Sequence, residues 1–112
     1  MNKISLFLPC LTALLLLSAP VDAGNIQALE KIVIERAEQD PVTAGEYFIN
    51  QIETGATVEE QAVYLYGMGW AHEKLGNIAE AVNDYLSAEA LGNSSASRAL
   101  QRLQKSNQGW VR

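Results

Sequence analysis

The sequence predicts an all-α fold of about five helices arranged as antiparallel hairpins, and three observations carry that prediction. From Ile26 onward, apolar residues recur at three- and four-residue steps, and no run alternates with period two. The breaks between these periodic stretches open on helix-capping residues and close on glycines. Each connection spans only a few residues, so neighbouring helices must run antiparallel.

Taken in order, the helices are expected at residues 25–39, 41–54, 58–75, 77–91 and 95–106. The first is marked by Ile26, Leu29, Ile32, Val33 and Ala37, the second by Ala44, Phe48 and Ile52. Asp40-Pro41 supplies the second helix with an N-cap and a first-turn proline. Thr57 and Glu60 have the spacing of a capping box before the third, and Asn77 with Glu80 is a related arrangement before the fourth. Gly55, Gly76 and Gly92 mark helix ends. Ser94, Ser95 and Ser97 cluster at the start of the fifth helix, where serine is expected as a cap. Residues 107–112 read as a frayed end, although they include Trp110.

Before the first helix the chain has a different character. Lys3 is followed by a mainly apolar run from Ile4 to Leu17, then by small residues and Val21-Asp22-Ala23. A charged start, an apolar stretch of ~7–15 residues and small residues before a cut make up a secretory signal peptide. Residues 1–23 are therefore expected to be removed, with the cut after Ala23 and the product periplasmic or secreted. An uncleaved anchor is the alternative, but the run falls short of the ~20 residues that cross a bilayer, and Pro9 interrupts it. Cys10 lies inside the apolar run rather than at the cut, which argues against lipidation. As the sole cysteine it also leaves residues 24–112 without disulfides or thiolate zinc ligands. Roughly 90 residues must then be held by a core alone, at a size where one core is marginal.

Charge divides the chain. The net charge is −5, yet from Gly92 onward there are four cations and no acid. Between Gly24 and Leu91 the only cations are Lys31, Arg36 and Lys74. An acidic body excludes nucleic acid as an expected partner, because phosphate contacts demand many cations.

The third and fourth helices hold the most specific pattern. Leu65, Met68-Gly69 and His72 follow one another at fixed steps, the turn Leu75-Gly76-Asn77 comes next, and Ala81, Tyr85 and Ala88 lie beyond it. This pattern resembles a tetratricopeptide repeat, covering about one unit from Ala62 to near Ser95. Leu65 stands for the usual aromatic, His72 for the Tyr and Asn93 for the closing Pro. Residues 25–54 resemble a degenerate second hairpin, with Ala44 and Phe48 echoing Ala81 and Tyr85 but without the Leu-Gly pair. The resemblance implies that residues 24–112 form a short right-handed solenoid of stacked hairpins. In physical terms, Gly69 and Ala81 remove bulk where helices approach, while Leu65, Met68, Tyr85 and Leu91 fill wider spaces. A mid-helix glycine costs ~1 kcal/mol relative to alanine, which Gly69 offsets by packing; the spacing gives Gly67 no such explanation.

The resemblance further implies a protein-interaction module with a groove for a partner protein or peptide, without enzymatic activity, cofactor or metal. Val63, Tyr66, Trp70, Glu73 and Lys74 lie beside the packing face and are the candidate partner-binding residues. Tyr66 and Trp70, one turn apart, would serve as anchors; alternatively both pack against the preceding hairpin. Some relatives grip a C-terminal carboxylate with Lys and Asn on this face, but Tyr66 and Trp70 hold those places here, so that activity is not implied.

The sole histidine, His72, lacks the companions of a zinc site and is expected to pack where a Tyr would. The carboxylates Glu59-Glu60 and Glu38 with Asp40 sit at helix ends, where exposed charge is tolerated. Arg98, Arg102 and Lys105 form one basic stripe opposite Ala99, Leu100 and Leu103. The fifth helix is therefore expected to cap the stack with its basic side outward, or to dock an acidic partner or lipid headgroups; no membrane contact is expected beyond the signal peptide. Ile32-Val33-Ile34 puts three consecutive apolar residues on a helix with one neighbour to cover them. Homo-oligomer formation is a further expectation, because stacks of fewer than about three repeats are usually unstable alone. A different class of function stays open, in which the helices form an accessory or sensor-like module of a larger envelope assembly.

Overall fold

A computed structural model of the protein describes residues 23–106, which form five helices. These are α1 (Ala23–Gln39), α2 (Pro41–Glu53), α3 (Val58–Lys74), α4 (Ile78–Ala90) and α5 (Ser94–Ser106). The predicted elements agree with them to within one or two residues. Residues 1–22 of the expected signal peptide, Cys10 among them, and Trp110 lie outside the described residues, whereas Ala23, before the expected cut, is the first residue of α1. None of the described helices is long and apolar enough to cross a membrane.

Local chemistry explains most of the boundaries. Asp40 caps α2 by accepting from the Thr43 backbone N–H and hydroxyl, with Pro41 in the first turn. Thr57 and Glu60 form the reciprocal capping box of α3: Glu60 N–H donates to Thr57 Oγ1 at 3.1 Å and Thr57 N–H to Glu60 Oε1 at 2.9 Å. Helices α3 and α4 both end on a left-handed glycine, Gly76 (φ 82°) and Gly92 (φ 100°). In each case the glycine N–H and the next residue's N–H return to the last turn, which satisfies its orphan carbonyls.

Two expected caps differ. Asn77 makes no side-chain cap bond to α4. The cap of α5 is not a serine but Asn93, whose Oδ1 accepts from Ala96 N–H at 2.8 Å. The turn after Gly92 places Asn93 directly before the helix, and Ser95 and Ser97 are drawn to carboxylates instead.

The helices pack as hairpins about α3, which contacts α1, α2 and α4, while α5 lies on α4. Two apolar clusters flank this central helix. One joins Val33, Ala37, Ala44 and Phe48 to Val63 and Ala71; the other joins Tyr66 to Ala81, Tyr85, Ala88, Ala99 and Leu103. Much of this core is alanine, so helices approach closely and a few large side chains fill what is left. Phe48 and Tyr85 are those fillers, each fully buried.

Each filler faces a glycine of α3. A Cβ at Gly69 would stand 2.5 Å from Tyr85 Cε1, so Gly69 makes room for a ring. Gly67, unexplained by spacing alone, has the tighter site: a Cβ there would stand 2.1 Å from Val33 Cγ1 and 2.8 Å from Phe48 Cε2. Ala44 and Phe48 thus meet α3 from one side as Ala81 and Tyr85 meet it from the other.

Three expectations about packing are corrected here. Val33 is buried and Ile34 packs on the second cluster, so of the Ile32-Val33-Ile34 run only Ile32, 58% exposed, faces outward. Leu91, expected to fill space between helices, is 39% exposed at the end of α4. Val63 is fully buried against the first hairpin and is not a surface residue.

Candidate functional site

Of the side chains expected to bind a partner, Glu73 and Lys74 do not line the same space as Tyr66 and Trp70, which meet where α3 faces α5. Here lies a recess of about 220 Å³ lined by Tyr66, Trp70, Ser95, Arg98, Ala99 and Arg102. The structure brings Tyr66 and Trp70 together with Arg98 and Arg102 of the basic stripe, which spacing alone could not show; Lys105 lies outside this recess. Val63 is excluded by burial. Tyr66 contributes only an edge, being 6% exposed, and its ring lies 5.7 Å from Tyr85 and 6.0 Å from Trp70.

Trp70 sits at a junction rather than beside one. It packs against both apolar clusters, and its indole N–H donates to Glu38 Oε2 of α1 at 3.1 Å. Lys74 Nζ lies 5.7 Å and the Arg102 guanidinium carbon 5.4 Å from the ring, within cation–π range. Lys74 also reaches Glu38 at 3.9 Å. Trp70 therefore ties α1, α3 and α5 together, and its loss would disturb folding as well as any contact it makes.

Glu73 is the centre of a second tie. It accepts from the Tyr85 hydroxyl at 2.7 Å and from both terminal nitrogens of Arg102, at 2.7 and 2.9 Å. Burial alone would raise the Glu73 carboxyl. The hydrogen bonds from Arg102 and Tyr85 outweigh it and hold the group below the usual carboxylate range. Burial and then the bond to Glu73 push the Tyr85 hydroxyl well up, and the same carboxylate keeps Arg102 protonated. Arg102, expected to face solvent freely, is committed to this network.

A third tie closes the other end of the recess. Glu30 of α1 accepts from Asn93 Nδ2 at 3.0 Å and from Ser95 Oγ at 2.7 Å, while Ser95 Oγ accepts from Arg98 at 2.9 Å. No sequence signal pointed to Glu30, which lies more than sixty residues from its partners. Ser97 donates to Glu89 at 2.6 Å. Both serines are thus bonded to carboxylates.

His72 packs on the other side of α3, with Nε2 at 3.6 Å from Asp84 Oδ2. Burial raises the Asp84 carboxyl, His72 lowers it, Glu80 raises it, and the net direction is up. His72 Nδ1 and Asp84 Oδ2 are buried without a hydrogen-bond partner among the described residues. No group of three metal-binding side chains occurs among the described residues.

Fold and site together define a class: an all-α protein of packed helical hairpins with a polar recess between its third and fifth helices. No family model, curated protein or solved structure matches the chain.

Proposed function

We propose that the chain is an exported helical-hairpin module of the tetratricopeptide type that holds a partner protein in the recess between α3 and α5. In this reading it catalyses nothing. The observation that carries it is the recess itself, walled by Tyr66 and Trp70 of α3 and by Arg98 and Arg102 of α5. Hairpins seated on Gly67 and Gly69 support the repeat-like part. The export part rests on the N-terminal sequence.

Two measurements test these parts separately. The protein recovered from its native envelope should have Gly24 as its first residue by intact mass; an intact Met1 form there would remove cleavage from the proposal. For the recess, a photo-crosslinking side chain placed at exposed Gln101 of α5, next to the recess, should capture a partner in that envelope. The same side chain at exposed Asn83 of α4 should not. Equal capture from both positions, or none from Gln101, would overturn the binding face.

A further inference from the structure

The recess continues into a second, shallower depression of about 550 Å³ lined by Arg98, Gln101, Arg102, Lys105 and Ser106. Arg98 and Arg102 border both, so the two form one furrow along α5. The charges along it are not equally available. Among the described residues the ion pairs are His72 with Asp84, Lys74 with Glu38 and Arg102 with Glu73. Among the described residues, Arg98 and Lys105 therefore have no carboxylate in salt-bridge range. Both are exposed, and α5 itself has no acidic residue to answer them.

The carboxylates beside this end of α5 are engaged elsewhere: Glu30 accepts from Asn93 and Ser95, and Glu89 accepts from Ser97. Arg98 meets Glu30 only through the Ser95 hydroxyl, which uses one guanidinium nitrogen. The other donors of the guanidinium fork are left for an incoming acceptor.

We infer that this furrow recognises an acidic segment of the partner protein, with Arg98 and Lys105 as the two cations that take its carboxylates. The inference rests on the recess being a partner site and names the chemistry of what enters it. Seven residues of α-helix place the two cations on one face about 10 Å apart. A segment in the polyproline-II conformation rises about 9 Å over three residues and brings every third side chain back to the same face, so the segment carries acids at a Glu-x-x-Glu spacing. Exposed ion pairs are individually weak, and the two must act together, with binding that fades as salt rises.

A lipid surface fits the furrow less well. The exposed large apolar side chains lie on α1 to α4 and at the ends of α3 and α4, and none of them is on α5 to enter a bilayer. Nucleic acid would ask for far more than two available cations.

The test uses the full chain and a labelled synthetic peptide of Glu-Ser-Ser-Glu repeats, with a Gln-Ser-Ser-Gln peptide and phosphatidylglycerol vesicles as comparators. At low salt the acidic peptide should bind and the neutral one should not. Arg98→Glu and Lys105→Glu should each weaken binding about tenfold, roughly 1.4 kcal/mol, because reversal removes a weak attraction and adds a repulsion to it. Lys31→Glu, on α1 outside the furrow, should leave it unchanged. Arg98→Gln, which adds no charge beside Glu30, guards against a folding defect and should weaken binding in the same direction.

Equal losses from Lys31→Glu would reduce the effect to net charge and overturn the inference. So would vesicle binding through Arg98 and Lys105 without peptide binding. If Gln101 still captures a partner but the captured segment is not acidic, this inference fails while the partner site stands.

Discussion

Replacing Gly67 by alanine is expected to destabilise the protein by about 2 kcal/mol, although alanine is the better helix former by about 1 kcal/mol. The added methyl would stand 2.1 Å from Val33 Cγ1 and 2.8 Å from Phe48 Cε2. Neither side chain can swing away, because both are essentially fully buried. Relief requires the first hairpin to lift off α3, which opens the cluster that Phe48 fills. Gly67→Leu should prevent the hairpin from seating at all, and Gly69→Leu should do the same to Tyr85. Gly45 in α2 gives the contrast: nothing lies within 4 Å of its added Cβ, so Gly45→Ala should stabilise by about 0.5–1 kcal/mol. Thermal melts of these variants decide it. If Gly45→Ala and Gly67→Ala shift the midpoint the same way, the first hairpin does not pack on α3 through Gly67.

The contrast also shows what the sequence could and could not say about packing. Helix number and bounds were legible because Asp40-Pro41, the Thr57–Glu60 box and the terminal glycines act within one turn of where they stand. Gly67 was not. A small residue signals that something is close without naming the neighbour, and here the neighbours are Val33 and Phe48 from two other helices. Val63 was misplaced for a related reason. Assigning α3 a single packing face puts Val63 beside it, whereas a helix held between two hairpins buries residues on both sides.

The site was legible residue by residue but not as a network. Tyr66, Trp70 and the α5 arginines were all singled out, yet nothing in their spacing placed them around one recess. The long polar side chains account for the rest. Arg102 belongs to the polar face of α5, and reaches 29 residues back to Glu73 because a flexible stem with a planar head can span two helices. Glu30 reaches the turn before α5 in the same way, across 63 and 65 residues. Such contacts depend on which helix ends the fold brings together, which follows from packing rather than from periodicity.

The Tyr85–Glu73–Arg102 network leads to the other large effect. Tyr85→Ala should cost about 3–5 kcal/mol, since it empties the space beside Gly69 and removes a hydrogen bond to a partly buried carboxylate. Tyr85→Phe keeps the ring and isolates the hydroxyl, at about 1–2 kcal/mol. Arg102→Ala should also destabilise, because it leaves Glu73 without its charge partner, where a free surface arginine would have been neutral. The pH dependence separates this network from simple packing. Glu73 titrates lower in the folded chain than unfolded, so its stabilisation is complete above the ordinary carboxylate range and is lost as pH falls through its depressed value. Asp84 acts with the opposite sign, because its raised value makes its burial costly at neutral pH and less so on acidification. Melting profiles are therefore best compared in an Asp84→Asn background, with and without Glu73→Gln. The protein that keeps Glu73 should lose stability more steeply in acid, and the difference should shrink when Tyr85→Phe removes one of the donors that lower Glu73. Parallel acid profiles with and without Glu73→Gln would show that the carboxylate contributes nothing beyond its shape.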